Sequence, residues 1–203
     1  MRQVHQRGYN DFYDVPAWLH HEINGALANC KSVKGYAEIF KDNEEYLTDF
    51  QIAYAFEDIA DNGLLITSEF WTVILPKVRE QVLTLDRQCT ASLMNIIAGA
   101  GQMQLQDNQL WEALESKLVD EGLLRYFSIH QQSEILFYFA RCGRGSDELI
   151  DQLEKIFIKH RKALLNMPDT LHYCKEGFGL LSKGSEILKR VLENPAIDLP
   201  KLA

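Results

Sequence analysis

His20, His21 and Glu22 are the first residues whose types could do chemistry, because imidazole and carboxylate side chains together bind metals or move protons. Their spacing argues against it. Neighbouring helical positions diverge by about 100°, and the helical metalloprotease pattern places its histidines at i and i+4. The trio therefore reads as a polar helix face. His130, His160 and His172 stand apart from one another in sequence. Cys30, Cys89, Cys142 and Cys174 are also far apart, with no C-x-x-C among them, so the spacing of a structural zinc site is missing and a reducing compartment is expected.

Gly143-Arg144-Gly145-Ser146 could cradle a phosphate, since glycines and a helix start both present N–H groups. It lacks the Gly-Lys-Ser/Thr ending of a P-loop and follows a helix where a P-loop follows a strand, so a turn and a helix cap are expected. Gly99-Ala100-Gly101 likewise reads as a helix-ending turn. Lys159, His160, Arg161 and Lys162 form a basic cluster, with Arg141 and Arg144 flanking the preceding turn. Arg141, Arg144, Lys159, Arg161 and Lys162 are thus candidate contacts for RNA, an acidic protein surface or anionic lipid. The alternative is electrostatic: cations near a helix C-terminus complement its partial negative charge, by roughly 0.3 to 1 kcal/mol each. Trp71 and Trp111 could stack bases, but a tryptophan on an inward stripe reads as core, needing one partner for its N–H. No catalytic, cofactor or metal site is expected, and the chain is read as non-catalytic.

The elements that must carry these residues form a repeat. Glycines at 63, 101, 143 and 184 follow helix-like segments at intervals near 40 residues, each placed where a left-handed residue would stop a helix. Four residues before them stand Ile59, Ile97, Phe139 and Leu180; three before, Ala60, Ala98, Ala140 and Leu181; seven before, Phe56, Met94, Leu136 and Gly177. These columns lie on one face of a 3.6-period helix. A polar cap candidate then opens a second amphipathic segment: Ser68 before Phe70, Trp71 and Ile74; Asp107 or Asn108 before Leu110, Trp111 and Leu114. Ser146 opens the segment with Leu149, Ile150 and Leu153, and Ser185 the one with Ile187, Leu188 and Val191. The second helices of the middle units are expected at about 109–121 and 147–165. The reading is an all-α solenoid of about four stacked hairpins with a period near 39. Phe56, Ile59, Trp71, Ile74, Ile97, Trp111, Leu114, Phe139 and Leu153 are its expected core.

Residues 1–47 fall outside the period and read as an N-terminal arm with capping helices, 48–193 as the array and 194–203 as an extended tail. The formal charge is −8, with the acidic excess mostly in the first half, which lowers the expectation of RNA binding without removing a local patch. No run approaches the ~18–20 apolar residues needed to span a bilayer. Arg2 and Arg7, with no acid before position 11, slightly resemble the end of an organellar presequence.

Segments 86–124, 128–165 and, more weakly, 48–83 resemble the ~38-residue helical repeats of organellar octotricopeptide and FAST-kinase-like proteins. The resemblance is carried by Ala-x-x-Gly (Ala60 to Gly63, Ala98 to Gly101, Ala140 to Gly143) and by the Leu-Trp/Ile step at 110–111 and 149–150. The short acidic array is also similar to small helical-repeat subunits of protist mitochondrial complexes, including one bound to the catalytic head of the euglenozoan ATP synthase. What these resemblances imply is a mitochondrial accessory subunit whose partners are other proteins of an assembly. The alternative they imply is an RNA-binding repeat protein of organellar RNA metabolism or the mitoribosome.

Overall fold

A computed structural model describes residues 16–197. Expectations for the first ten residues, and for the end of the tail, lie outside the described residues. The elements run α1 (Ala17–Asn29), α2 (Val33–Asp42), α3 (Asp49–Asp61), a π turn (Phe70–Ile74) continuing into α4 (Leu75–Thr84), α5 (Thr90–Gln102) and α6 (Asn108–Leu118). A 3-10 turn (Leu123–Tyr126) then leads to α7 (Ile129–Arg141), α8 (Asp147–Lys159), α9 (Arg161–Leu164), α10 (Pro168–Leu181) and α11 (Glu186–Glu193). No strand occurs among the described residues. The fold is an all-α, solenoid-like array.

Four hairpins make up the array: α3 with α4, α5 with α6, α7 with α8, and α10 with α11. Their first helices pack in chain order, α3 on α5, α5 on α7 and α7 on α10, while α4 meets α6 and α8 meets α11 in a second row. Helices α1 and α2 precede the first hairpin, α1 against α3 and α2 against the π turn. One core runs through the stack. Phe56, Ile59, Ile74, Ile97, Trp111, Leu114, Phe139 and Leu153 are all buried in it. The Trp111 indole N–H donates to the Leu105 carbonyl at 2.8 Å, and its ring meets Phe139 edge-on with centroids 4.7 Å apart.

Close helix contact depends on glycine more than on the alanine column. A Cβ at Gly101 would stand 2.4 Å from the Tyr138 ring, one at Gly99 would stand 2.9 Å from the Phe56 ring, and one at Gly177 would stand 2.6 Å from Leu136. Each first-helix interface therefore closes over a missing side chain. Gly101 accordingly does not stop its helix, as its position in the repeat suggested: α5 continues to Gln102, and Gln104 takes the left-handed conformation with φ 49°. Gly63 and Gly143 do occupy the left-handed region just past α3 and α7, with φ 57° and 65°. After α10 the first left-handed residue is Ser182, two positions before Gly184.

Trp71 is a second correction, being 52% exposed where the repeat placed it in the core. Pro76 explains the shift. It has no N–H to give the carbonyl four residues earlier, and the helix upstream widens into a π turn in which the Leu75 N–H reaches the Phe70 carbonyl. The i→i+5 bond sets Leu75 under Phe70, so the seam runs through Phe70, Ile74, Leu75 and Val78, all buried. Trp71 is left outside it. Ser68, expected as the cap, lies within the opening turn, where the Thr72 hydroxyl donates to its carbonyl at 3.0 Å. The continuous helix expected over 147–165 instead breaks at His160, which ends α8 and precedes α9.

The starts of the second helices carry a device repeated along the stack. Helices α3 and α7 each close their own capping box, Thr48 with Gln51 and Ser128 with Gln131. Helices α8 and α11 have leucine at the third position, Leu149 and Leu188, and no such side chain reaches back to the cap N–H. A glutamate of the preceding second helix does so instead. The Ser146 N–H donates to Glu115 at 2.8 Å, and the Ser185 N–H donates to Glu154 at 3.1 Å. The serine hydroxyls meanwhile accept from Leu149 and Leu188 N–H, each at 3.2 Å. At α6 the cap is Asp107, held by the guanidinium of Arg79 from α4. The second helices α6, α8 and α11 are thus each completed by the one before.

Candidate protein-interaction face

The structure does not gather the five cations singled out by sequence into one patch. Arg141 and Arg144 lie before the start of α8, while Lys159, Arg161 and Lys162 lie at its other end. Thirteen residues at 1.5 Å each separate the two groups by about 18 Å or more. Arg161 is used internally, donating to the Ile197 carbonyl at 3.1 Å and the Ile158 carbonyl at 3.4 Å. It ties the tail to the end of α8. Arg144 contributes positive charge beside Asp107. Lys159 and Lys162 are exposed, and Arg141 is exposed with its guanidinium 5.6 Å above the Phe137 ring.

The possible chemical groups also remain apart. Among the described residues no three of His, Cys, Asp and Glu come together as a set that could hold a metal ion. All four cysteines are free; Cys142 and Cys174 are buried, and burial pushes the Cys174 thiol up to about 12. Two open hollows, of about 450 and 260 Å³, lie along the α8–α11 seam and between α2 and the π turn. The larger is lined by charged and polar side chains that pair with one another, Lys183 with Asp147 and Ser185 with Glu154.

What the fold does assemble is a face built from the outer stripes of the first helices. On α3 the stripe is Phe50, Tyr54, Glu57, Asp58 and Asp61, at helical spacing, and on α7 it is His130, Glu134, Phe137, Tyr138 and Arg141. Between them α5 shows Thr90, Ala91, Asn95 and Gln102, while Ala98 is buried. The Tyr138 ring of α7 lies against Gly101 of α5 and its hydroxyl bonds with Gln102. Tyr173 of α10 extends the aromatic part, its ring centroid 5.1 Å from Phe137 and 5.9 Å from His130. Phe50 and Tyr54 stack at 6.4 Å on the other side. The His130 Nδ1 lies 2.9 Å from the buried Thr170 hydroxyl and its Nε2 3.8 Å from Glu134, which fixes that end of the face to α10.

Its electrostatics are those of crowded carboxylates. The Glu57 carboxyl is raised above its usual range, first by burial and then by the charges of Asp61, Asp58 and Glu134. Glu134 belongs to α7, so its negative charge acts across α5 on α3. Burial raises the Tyr138 phenol, a hydrogen bond with Gln102 opposes this, and Glu134, Tyr173 and Asp61 reinforce it. Asp58 accepts a hydrogen bond from the buried Tyr36 hydroxyl, whose pKa is raised by burial and by that bond. Sequence reasoning passed over this face because it looked inward for the repeat. The signal was present on the other side of the same helix, in Tyr54, Glu57, Asp58 and Asp61 at i, i+3, i+4 and i+7. No protein-family model matches the chain, and no curated protein matches it in sequence.

Proposed function

We propose that this chain is a non-catalytic scaffold that binds other protein subunits, serving as an accessory subunit of a mitochondrial multi-subunit complex. The observation that carries the binding role is the aromatic and acidic face along the first-helix row. It exposes Phe50 at 56% and keeps Tyr54, Phe137, Tyr138 and Tyr173 half-buried. Aromatic side chains on a rigid support supply contact area at low entropic cost, and they are enriched at protein interfaces. A stacked-hairpin array holds such a surface in fixed geometry because each unit rests on its neighbours. The mitochondrial setting rests on the resemblance to organellar helical repeats. A formal charge of −8, with Glu57, Asp58, Asp61 and Glu134 on this face, disfavours a polyphosphate partner.

The test is purification of the tagged full chain from its source cells at about 150 mM salt, where counterion-driven binding to nucleic acid is weakened. Protein subunits recovered at fixed stoichiometry are the expected result. A chain recovered alone, or with RNA whose removal by nuclease leaves nothing bound, would refute the scaffold reading.

A further inference from the structure

We infer that the edge of the array where successive hairpins are joined receives an extended, Asp/Glu-bearing segment of a partner protein, seated along Arg87, Arg125, Lys159 and Lys162. The inference rests on the scaffold reading and gives it a second contact, away from the aromatic face. Its first ground is topology. The first helices pack in chain order, and each second helix leads back to the edge where its own first helix began. The connections 85–89, 119–128 and 160–167 therefore all fall on one edge. Bonds along that edge tie it together. Lys117 Nζ, near the end of α6, donates to the Leu83 carbonyl at the end of α4 at 2.9 Å, and Arg87 of the first connection hydrogen-bonds with Tyr126 of the second.

The second ground is the charge carried there. Each connection brings an exposed cation: Arg87 the first, Arg125 the second, and Lys162 the third, with Lys159 just before it. No ion pair among the described residues uses any of them. Of the acids in these connections, Asp86 accepts from the Gln88 N–H at 2.8 Å and Glu121 pairs with Lys117 at 2.8 Å, while Asp120 stands exposed. The Arg125 guanidinium donates to the Tyr126 hydroxyl at 3.1 Å and lies 4.9 Å over its ring. Cations gathered along an edge without carboxylates to pair with them reward an anion that arrives. Packed helices stand about 8 to 10 Å apart, so the cations of successive connections follow at about that interval. An extended chain rises ~3.3 Å per residue, and acidic side chains at about every third residue meet it. RNA would bring its charge beyond the edge, against the rest of a chain of formal charge −8.

The experiment compares tagged full-length wild type with an Arg87→Gln/Arg125→Gln/Lys159→Gln/Lys162→Gln variant, and with a control carrying Lys31→Gln, Lys34→Gln, Lys175→Gln and Lys189→Gln elsewhere on the surface. All three are expressed in the source cells and purified at about 150 mM salt. The expected result is that wild type and control retain the same protein subunits, while the edge variant, with an unchanged thermal transition, loses at least one of them by about tenfold or more. A carbodiimide, which joins amines to carboxylates, should also link Lys159 or Lys162 of the wild type to that subunit, within a segment whose acids outnumber its Lys and Arg. Subunits retained equally by all three proteins would overturn this inference while leaving the scaffold reading intact. A link to a segment without that acidic excess, or only to this chain's own last residues, would overturn it too. RNA lost in place of a protein would make the edge a nucleic-acid contact and refute the inference. A wild type that brings down no protein partner would remove the scaffold reading and this inference together.

Discussion

Replacing Glu154 by alanine tests the inter-hairpin capping most directly, because it removes the acceptor for the Ser185 N–H without touching α11 itself. The bond is charge-assisted, for which about 1.5 to 3 kcal/mol is typical, but Ser185 is exposed and water can replace the lost oxygen. About 1 kcal/mol is the resulting estimate. With a urea dependence near 2 kcal/mol per molar, that lowers the unfolding midpoint by about 0.5 M. Ser185→Ala should cost a similar ~1 kcal/mol by removing the hydroxyl that accepts from Leu188. The two changes should not add. The serine hydroxyl also hydrogen-bonds Glu154, so a double-mutant cycle should return a coupling of about 0.5 kcal/mol or more. Native-state hydrogen exchange should show the loss first in α10 and α11. Strict additivity, or a midpoint for Glu154→Ala that equals that of the surface control Glu112→Ala, would refute the capping account.

Gly101→Ala should destabilise by about 1 to 3 kcal/mol, because its Cβ meets the Tyr138 ring, and Tyr138→Ala in the same chain should recover part of that loss in denaturant melts. Trp111→Ala should cost about 3 to 5 kcal/mol and Trp71→Ala less than about 1, and equal costs would contradict the exposure of Trp71. Because the Glu57 pKa is raised on folding, the ionised carboxylate disfavours the fold above its usual titration range and the penalty disappears as pH falls below it. Glu57→Gln should therefore raise the melting temperature at pH 7 and leave it nearly unchanged near pH 3.5. Cys174, with its thiol pushed up to about 12, should react with a disulfide reagent at pH 8 only as fast as the protein opens, well after the half-buried Cys30.

The fold was legible because its determinants are local and periodic. Apolar columns such as Ile59, Ile97 and Phe139 recur at helical spacing, and the caps Asp107, Ser146 and Ser185 are residue types that bind free N–H groups. The errors arose where one residue outweighed the period. Pro76 altered the turn before it and turned Trp71 outward, and Gly101 lies inside its helix against Tyr138 while Gln104 takes the left-handed turn. Neither effect follows from the residue's place in the repeat. The candidate face was harder to read because its members come from α3, α5, α7 and α10, and their adjacency exists only once the hairpins stack. The basic residues at 141–144 and 159–162 drew attention through closeness in sequence, yet α8 stands between them.

The caps shared between successive hairpins also give the stack a direction in time. Glu115 and Glu154 are synthesised before Ser146 and Ser185, the serines whose N–H groups they accept from. The second and third hairpins, with Glu115 and Glu154, would therefore present an acceptor for a helix not yet made. If the units fold as they are made, Ser146 and Ser185 would each meet an acceptor that the preceding hairpin has already placed. A third or fourth hairpin made without its predecessor would have a cap N–H with no carboxylate to meet it.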